Sequence, residues 1–292
     1  MQQLDTLLNN AVLFSALAGV VGLLVGSFLN VVIYRLPIMM QRGWQKECSD
    51  YLQLSLESES GAEDPFNLVL PLSRCPACNT PIKPHQNIPL ISYIFLKGRC
   101  AACGNPISLR YPAIEVLTAA ASIVVAWHFG YGAQAFFALL LTWSLITLIF
   151  IDIDHQLLPD SITLPMLWLG LGLSVFNLFT DAHAGIIGAI AGYLALWSIF
   201  HLFKLATGKE GIGYGDFKLL ALFGAWLGWQ YLPIILLLSS LVGAVIGVGM
   251  IVFVKHDRNV PIPFGPYLAV AGWIALLWGD SLNQLYLSTV GL

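Results

Sequence analysis

The chain has 292 residues, of which 58% are hydrophobic and only 10% are charged, and its formal net charge is −3. A water-soluble domain carries about a quarter charged residues, so this composition and a mean hydropathy of +0.78 exclude a soluble globular protein. They predict an all-α polytopic membrane protein. The first ten residues contain no Lys or Arg. Since a cleavable signal peptide starts with a basic segment, we expect the first span to be retained as an anchor.

Apolar segments recur along the chain, and they predict about eight transmembrane helices because each is close to the length that crosses about 30 Å of hydrocarbon. In chain order they cover residues 11–33, 113–129, 133–151, 162–179, 184–203, 217–229, 232–254 and 264–278. All 13 basic residues lie between the first and second spans, around the junction of the fifth and sixth, or between the seventh and eighth. The positive-inside rule assigns this face to the cytoplasm, and with eight spans both termini lie on the opposite, external side of the membrane.

The segment between the first two spans is the one sizeable soluble part of the sequence. Residues 56–65 are polar and acidic, which predicts a flexible connection. The second half contains Cys75-Pro76-Ala77-Cys78 and Cys100-Ala101-Ala102-Cys103, separated by 21 residues. Two Cys-x-x-Cys pairs at such a distance are typical of a tetrahedral zinc-ribbon site, and four sulfur ligands leave no open position for catalysis. Two disulfides are the alternative, but they are rare in the reducing cytoplasm. Cys48 lies outside the pattern and is predicted to be a free thiol.

Two aspartates stand at the ends of apolar spans. Asp152 ends the third span, and Asp216 lies in Gly213-Tyr214-Gly215-Asp216, directly before the sixth. The predicted topology places both at the cytoplasmic edge of the membrane. A carboxyl group there is costly unless it lines a wet cavity, so it indicates a functional site. Two such groups can act as the base and the acid of an aspartyl protease.

Other interpretations of these acids compete with catalysis. Asp216 and Asp160 have the position of helix caps, a common role for aspartate. Asp154 lies two residues beyond Asp152, and His155 is interpreted as a solvated residue without a role. A transporter or channel with a carboxylate relay is the alternative function, but it would place the acids near mid-membrane. A zinc hydrolase is disfavoured because four cysteines close the metal site.

Polar residues also lie near the first two spans. Asn30 is expected to form an interhelical hydrogen bond, and Gly26 and Ser27 favour close helix packing. Glu115 lies in the first turns of the second span, where an ion pair with Arg110 is the structural interpretation and binding of a charged ligand is the functional one.

The residues together resemble the type IV prepilin peptidases, also called prepilin leader peptidase/N-methyltransferases, which belong with the Gly-x-Gly-Asp aspartyl proteases. The resemblance covers nearly the whole chain. It rests on Gly26-Ser27-Phe28-Leu29-Asn30-Val31, Arg35-Leu36-Pro37, both Cys-x-x-Cys pairs, Arg110-Tyr111-Pro112, Leu157-Leu158-Pro159-Asp160, Gly211-Ile212-Gly213-Tyr214-Gly215-Asp216-Phe217-Lys218 and Pro263-Phe264-Gly265-Pro266.

This resemblance implies an enzyme of the bacterial inner membrane that cleaves the basic leader of type IV prepilins and of type II secretion pseudopilins. It then methylates the new N-terminal amine, typically of phenylalanine, with S-adenosylmethionine. The resemblance maps the catalytic acids to Asp152 and Asp216 and zinc to the four cysteines. We add Glu115, Asn30 and Arg35 as candidate methyl-donor residues. The lipid bilayer and the pilin precursors are the expected partners, and no nucleic acid is expected.

The predicted organisation has three parts. Residues 1–34 form the first transmembrane helix, residues 35–112 form the cytoplasmic domain with the zinc site, and residues 113–292 form a seven-helix membrane peptidase domain.

Overall fold

The computed structural model describes residues 10–52, 66–209, 211–253 and 263–290, and these are helical with no strands. The chain divides into two compact units, Met1–Trp127 and His128–Leu292. The helices of the first unit are α1 (Ala11–Leu52), the short α2 (Ile91–Phe95) and α3 (Arg110–Phe129), which ends at the border of the two units. Those of the second unit are α4 (Ala133–His155), α5 (Asp160–Val175), α6 (Ala182–Thr207), α7 (Tyr214–Leu227), α8 (Leu232–Phe253) and α9 (Gly265–Val290).

Helix α1 has 42 residues and continues well past the predicted span 11–33, with Pro37 inside it. At 1.5 Å per residue it is about 63 Å long, roughly twice the hydrocarbon thickness. The apolar run marks where the membrane segment ends, whereas the helix continues through polar residues. The acidic segment 56–65, predicted to be flexible, lies outside the described residues.

Helices α1 and α3 approach each other closely through glycines. A Cβ added at Gly22 would lie 2.8 Å from the Cα of Ala119, and one added at Gly26 would lie 2.8 Å from the Cα of Glu115. Small residues allow membrane helices to pack at this distance, so the structure agrees with the packing role predicted for Gly26. The amide of Asn30 donates to the carbonyl of Tyr111 at 3.2 Å, which provides the predicted hydrogen bond to the neighbouring helix.

Helix α7 forms the centre of the second unit. From Asp216 to Leu227 all of its residues except Lys218 are buried. It crosses α6 so tightly that a Cβ on Gly224 would lie 2.1 Å from the carbonyl oxygen of Gly188. The indole of Trp226 donates to the carbonyl of Met166 in α5 at 2.7 Å. The helix is therefore held by backbone contact on one side and by a hydrogen bond on another.

Within the described residues, five helices are long and apolar enough to cross a membrane: Ala11–Leu52, Arg110–Phe129, Ala133–His155, Ala182–Thr207 and Trp229–Met250. Asp160–Val175 is apolar but shorter. Each of the eight predicted spans overlaps a helix, which confirms the all-α membrane class, while the number of crossings stays a prediction. Lys255 and Arg258, used in the topology, lie outside the described residues. The three-part division at residues 34 and 112 also stays a prediction.

Candidate active site and metal centre

The two predicted catalytic acids, Asp152 and Asp216, line one cavity of about 260 Å³, which we call the acid cleft. The other lining residues come from the segment after α4, the segment before α7 and its first turn, and the segment before α9: Gln156, Leu158, Gly211, Ile212, Gly213, Gly215, Pro263 and Phe264. Both aspartates are only 6% exposed. The structure therefore brings together two buried carboxyl groups that are 64 positions apart in the sequence.

Asp152 lies in the last turn of α4. Its own carbonyl accepts the N–H of Gln156, whose left-handed conformation (φ 53°) ends the helix. Its carboxyl group accepts a hydrogen bond from the backbone N–H of Gly265, the first residue of α9. The acid at the end of one helix is thus held by the start of another.

Asp216 occupies the third position of α7. Its Oδ2 accepts the N–H of Gly213 at 3.2 Å, and its own N–H donates to the carbonyl of Gly213 at 3.2 Å. This reciprocal pair resembles a capping box. Gly213 therefore occupies the cap position of α7, and Asp216 supports this cap from the third position while its carboxyl group lines the acid cleft. Its catalytic role stays a prediction.

The polar residues that follow Asp152 in the sequence are not buried with it. Asp154 and His155 are exposed. The prediction that Asp160 caps the fourth span is wrong: Pro159 occupies the cap position of α5. The carboxylate of Asp160 instead accepts two hydrogen bonds of 2.7 Å from the ammonium of Lys218, because Lys218 is two residues past Asp216 and reaches the start of α5.

The geometry of the acid cleft suits general acid–base chemistry. Both carboxyl groups line the same cavity, and two carboxyl groups that are close together resist being ionised at the same time, which allows a pair to hold one proton between them. The ionised member can take a proton from water while the protonated member polarises a carbonyl. Asp152 and Asp216 both lie at helix ends, which favours a reaction at the membrane edge over a relay through mid-membrane.

The four cysteines form a second candidate site, in the first unit. The sulfur atoms of Cys75, Cys78, Cys100 and Cys103 all lie within 4.8 Å of one another. Those of Cys75 and Cys103 are 3.9 Å apart. A tetrahedral zinc with Zn–S bonds of about 2.3 Å requires sulfur separations of about 3.8 Å. The cluster therefore fits a zinc ion, and the cysteines are free thiols, which excludes the disulfide alternative in this structure.

Both Cys-x-x-Cys turns have the same backbone hydrogen bonds. The N–H of Cys75 donates to Thr80 and its carbonyl accepts from Asn79, while Cys100 makes the matching bonds to Asn105 and Gly104. Asn79 and Gly104 both have positive φ, at 58° and 71°. Hydrogen bonds from the hydroxyl and backbone of Thr80 lower the pKa of the Cys78 thiol to about 6. Because the thiolate is the metal-binding form, this turn is prepared for a metal.

The three candidate methyl-donor residues bind backbone groups of the first unit. The buried guanidinium of Arg35 donates to the carbonyls of Asn67 and Pro71 at 2.9 and 2.6 Å. Oε2 of Glu115 accepts the N–H of Leu90 at 2.8 Å. The amide of Asn30 donates to the carbonyls of Gly26 and Tyr111. Arg35 and Glu115 therefore attach the cysteine-containing segment to α1 and α3, whereas Asn30 joins α1 to α3.

Sequence reasoning missed Gly265 as a partner of Asp152 and Lys218 as a partner of Asp160. A backbone donor leaves no side-chain pattern to detect. The signal that could have found Gly265 is the segment Pro263-Phe264-Gly265-Pro266, which begins a helix at the predicted active-site face.

The helical fold and the acid cleft together define the class: a membrane protein with two buried carboxyl groups in one cavity, an arrangement that suits an aspartyl peptidase. Two family models match the chain, the Bacterial Peptidase A24 N-terminal domain over residues 20–129 and the Type IV leader peptidase family over residues 139–248. The chain belongs to the type IV leader peptidase family, which confirms the resemblance found in the sequence.

Proteins named Prepilin leader peptidase/N-methyltransferase resemble the chain over its full length. That of Stutzerimonas stutzeri is 56% identical over 98% of both chains. That of Pseudomonas aeruginosa is 54% identical over 100% of this chain and 99% of its own. That of Aeromonas hydrophila is 56% identical over 94% of both. No solved structure matches the chain.

Proposed function

We propose that this enzyme cleaves the leader of type IV prepilins and then methylates the new N-terminal amine, typically of phenylalanine. The observation that carries the proposal is the acid cleft, in which Asp152 and Asp216 are both buried and line one cavity. The names of the full-length relatives support the same pair of activities. The pseudopilins of type II secretion are proposed as further substrates, since they also carry a short basic leader before an apolar helix.

The acid cleft divides the hydrolytic work between two side chains. The ionised member of the pair takes a proton from water, and the resulting hydroxide adds to the scissile carbonyl. The protonated member donates its proton to the carbonyl oxygen as the hydroxide adds. When this intermediate breaks down, the C–N bond is cleaved and the proton taken from water passes to the leaving amine. The proton on the former carbonyl oxygen returns to the second carboxylate, which restores the pair. Asp152 and Asp216 serve as this pair in either order, because both reach the same cavity.

The reaction is proposed to take place at the cytoplasmic face of the inner membrane, with both termini in the periplasm. All 13 basic residues fall in the segments assigned to that face, as the positive-inside rule requires. A substrate with a basic cytoplasmic leader and an apolar helix places its scissile bond at this boundary. The opening of the acid cleft at helix ends fits such a substrate.

Zinc is proposed as the metal held by Cys75, Cys78, Cys100 and Cys103, since their sulfur separations suit it. When bound, the ion would cross-link the two Cys-x-x-Cys turns and would leave no coordination position for water. The role is therefore structural. Cys48 is exposed and lies outside the cluster.

The methyl donor is proposed to be S-adenosylmethionine, which supplies a methyl group to the free amine. We place its site on the cytoplasmic side of the first unit, near Asn30, Arg35 and Glu115. The contacts of these residues support a role in holding the site together, because Arg35 and Glu115 bind backbone groups of the cysteine-containing segment and Asn30 joins α1 to α3. Direct contact with the donor is assigned to Glu115, whose carboxylate could offset the sulfonium charge.

The deciding experiment is incubation of the purified protein with a prepilin, with and without S-adenosylmethionine, followed by mass spectrometry of the products. We expect loss of the leader in both reactions and one added methyl group only with the donor. A pseudopilin as substrate in a parallel reaction tests the second substrate class. An uncut prepilin would overturn the proposed function.

A further inference from the structure

Two residues without reactive groups, Leu158 and Gly265, lie between the elements that carry the acids. Gly265 donates its backbone N–H to Asp152. A Cβ at this glycine would lie 2.5 Å from Oδ2 of Asp152 and 3.2 Å from Cδ1 of Leu158. The hydrogen bond to the acid and the contact with Leu158 therefore leave no room for a side chain at position 265.

Leu158 also contacts the support of the second acid. A Cβ on Gly215, the residue before Asp216, would lie 2.8 Å from the Cβ of Leu158 and 3.1 Å from its Cδ1. The leucine therefore fills the space beside two glycines, one next to each aspartate. Leu158 itself lines the acid cleft.

We propose that Leu158 and Gly265 are positioning residues for peptide cleavage, which set the placement of Asp152 and Asp216 across the acid cleft. Gly265 brings a backbone donor to Asp152, and Leu158 fixes the separation between the start of α9 and the start of α7. The inference rests on the proposed peptidase function. It goes beyond the acid pair, because it assigns the placement of the two acids to the apolar side chain of Leu158 and to the absence of a side chain at Gly265.

The size of the effect follows from the distances. Ordinary contact of a Cβ begins at 3.4 Å, so the 2.5 Å approach in Gly265→Ala would displace the Asp152 carboxylate by about 0.9 Å. A misplacement of about 1 Å costs about 100-fold in rate. We therefore expect Gly265→Ala to lower kcat for cleavage about 100-fold, and Leu158→Ala, which loosens the separation, to lower it about tenfold.

The decisive test is the double variant Gly265→Ala/Leu158→Ala. Removing Cδ1 of Leu158 takes away the second close contact of the new methyl group, so the start of α9 can shift and Asp152 is displaced less. We expect the double variant to cleave about tenfold faster than Gly265→Ala alone, a coupling typical of residues in contact. Two residues that merely stabilise the fold would give losses that add. A double variant equal to or slower than Gly265→Ala overturns the proposal.

Two controls separate positioning from folding, and Leu158→Ala alone covers the case of a misfolded glycine variant. Methylation of a pre-cleaved pilin should be unchanged in all variants, and loss of it together with cleavage would show a general structural role and overturn the proposal. Gly172→Ala makes the same substitution in α5, where the added Cβ would meet no atom within 4 Å apart from its own helix backbone. This variant should cleave normally. Should Gly265→Ala not fold, Leu158→Ala decides: reduced cleavage with normal methylation supports the proposal, and unchanged cleavage overturns it. Failure of the parent enzyme to cut prepilin would instead refute the proposed function.

Discussion

Replacing either of the two proposed catalytic aspartates by asparagine should abolish leader cleavage while leaving the fold in place. Asparagine has nearly the same shape, and at position 216 its side-chain oxygen can still accept the N–H of Gly213, so the start of α7 stays capped. What the variant loses is a group that can take up or release a proton. General acid–base catalysis contributes about 10²- to 10⁴-fold, so Asp152→Asn and Asp216→Asn should each cleave at least about 100-fold more slowly.

The two acids should also behave as one unit. Groups that act together in one step are strongly non-additive, so removing the second adds little to the loss from the first. The double variant Asp152→Asn/Asp216→Asn should therefore cleave about as slowly as either single variant. Losses that multiply would show that the acids act in separate steps.

The assay is the initial rate of leader removal from a prepilin in detergent or liposomes, with Asp154→Asn as the matched control. Asp154 is on the same helix two residues on, but it is exposed, and its variant should keep most of the activity. Methylation of a pre-cleaved pilin by Asp216→Asn should persist, because methyl transfer needs the amine and the donor but not the acid pair. Activity in Asp152→Asn together with full loss in Asp154→Asn would refute the assignment.

Three further outcomes are expected. Metal analysis of the intact protein should give one zinc per chain, lost in Cys75→Ser and kept in Cys48→Ser, because only the former belongs to the sulfur cluster; zinc retained in Cys75→Ser would contradict the site. Glu115→Gln should reduce methylation of a pre-cleaved pilin measured by mass spectrometry, and normal methylation would remove Glu115 from the methyl-donor site. Gly224→Ala should lower the free energy of unfolding by about 1–3 kcal/mol, since its Cβ would meet a backbone carbonyl. Gly249→Ala, whose Cβ would meet no atom within 4 Å apart from its own helix backbone, should keep or slightly raise thermal stability, since alanine favours a helix. Equal stability of the two variants would refute the close helix crossing.

The sequence predicts what depends on side-chain chemistry and hydropathy. The apolar runs locate the membrane helices, and they separate the buried Asp152 from the exposed Asp154 because only the former directly follows the run. The spacing of the cysteines predicts their cluster. These features depend only on residue type and on position along the chain, so a single sequence is enough to predict them.

What the sequence does not reveal depends on backbone geometry and on partners far along the chain. The polar end of α1 has no hydropathy signal, so its helix past residue 33 was not expected. Asp160 has the residue type of a cap, but the ammonium of Lys218 is within reach and binds it instead. The donor to Asp152 is a backbone N–H more than 100 positions away, and no local pattern records such a contact.

The position of both acids at helix ends explains how buried carboxyl groups can be used at a membrane boundary. In the middle of a helix every backbone N–H is already bonded within the helix, whereas the first turn offers free donors. Asp216 uses the donor of Gly213, at the start of its own helix, and Asp152 uses that of Gly265, at the start of another. Each buried carboxyl group therefore has a fixed backbone partner that holds its orientation without adding a charged side chain to the acid cleft. A basic leader that enters this cleft meets acids whose negative charge is not cancelled by a paired lysine or arginine among the lining residues that the structure describes. The same arrangement would therefore serve both parts of the proposed function, the hydrolysis and the attraction of a basic leader.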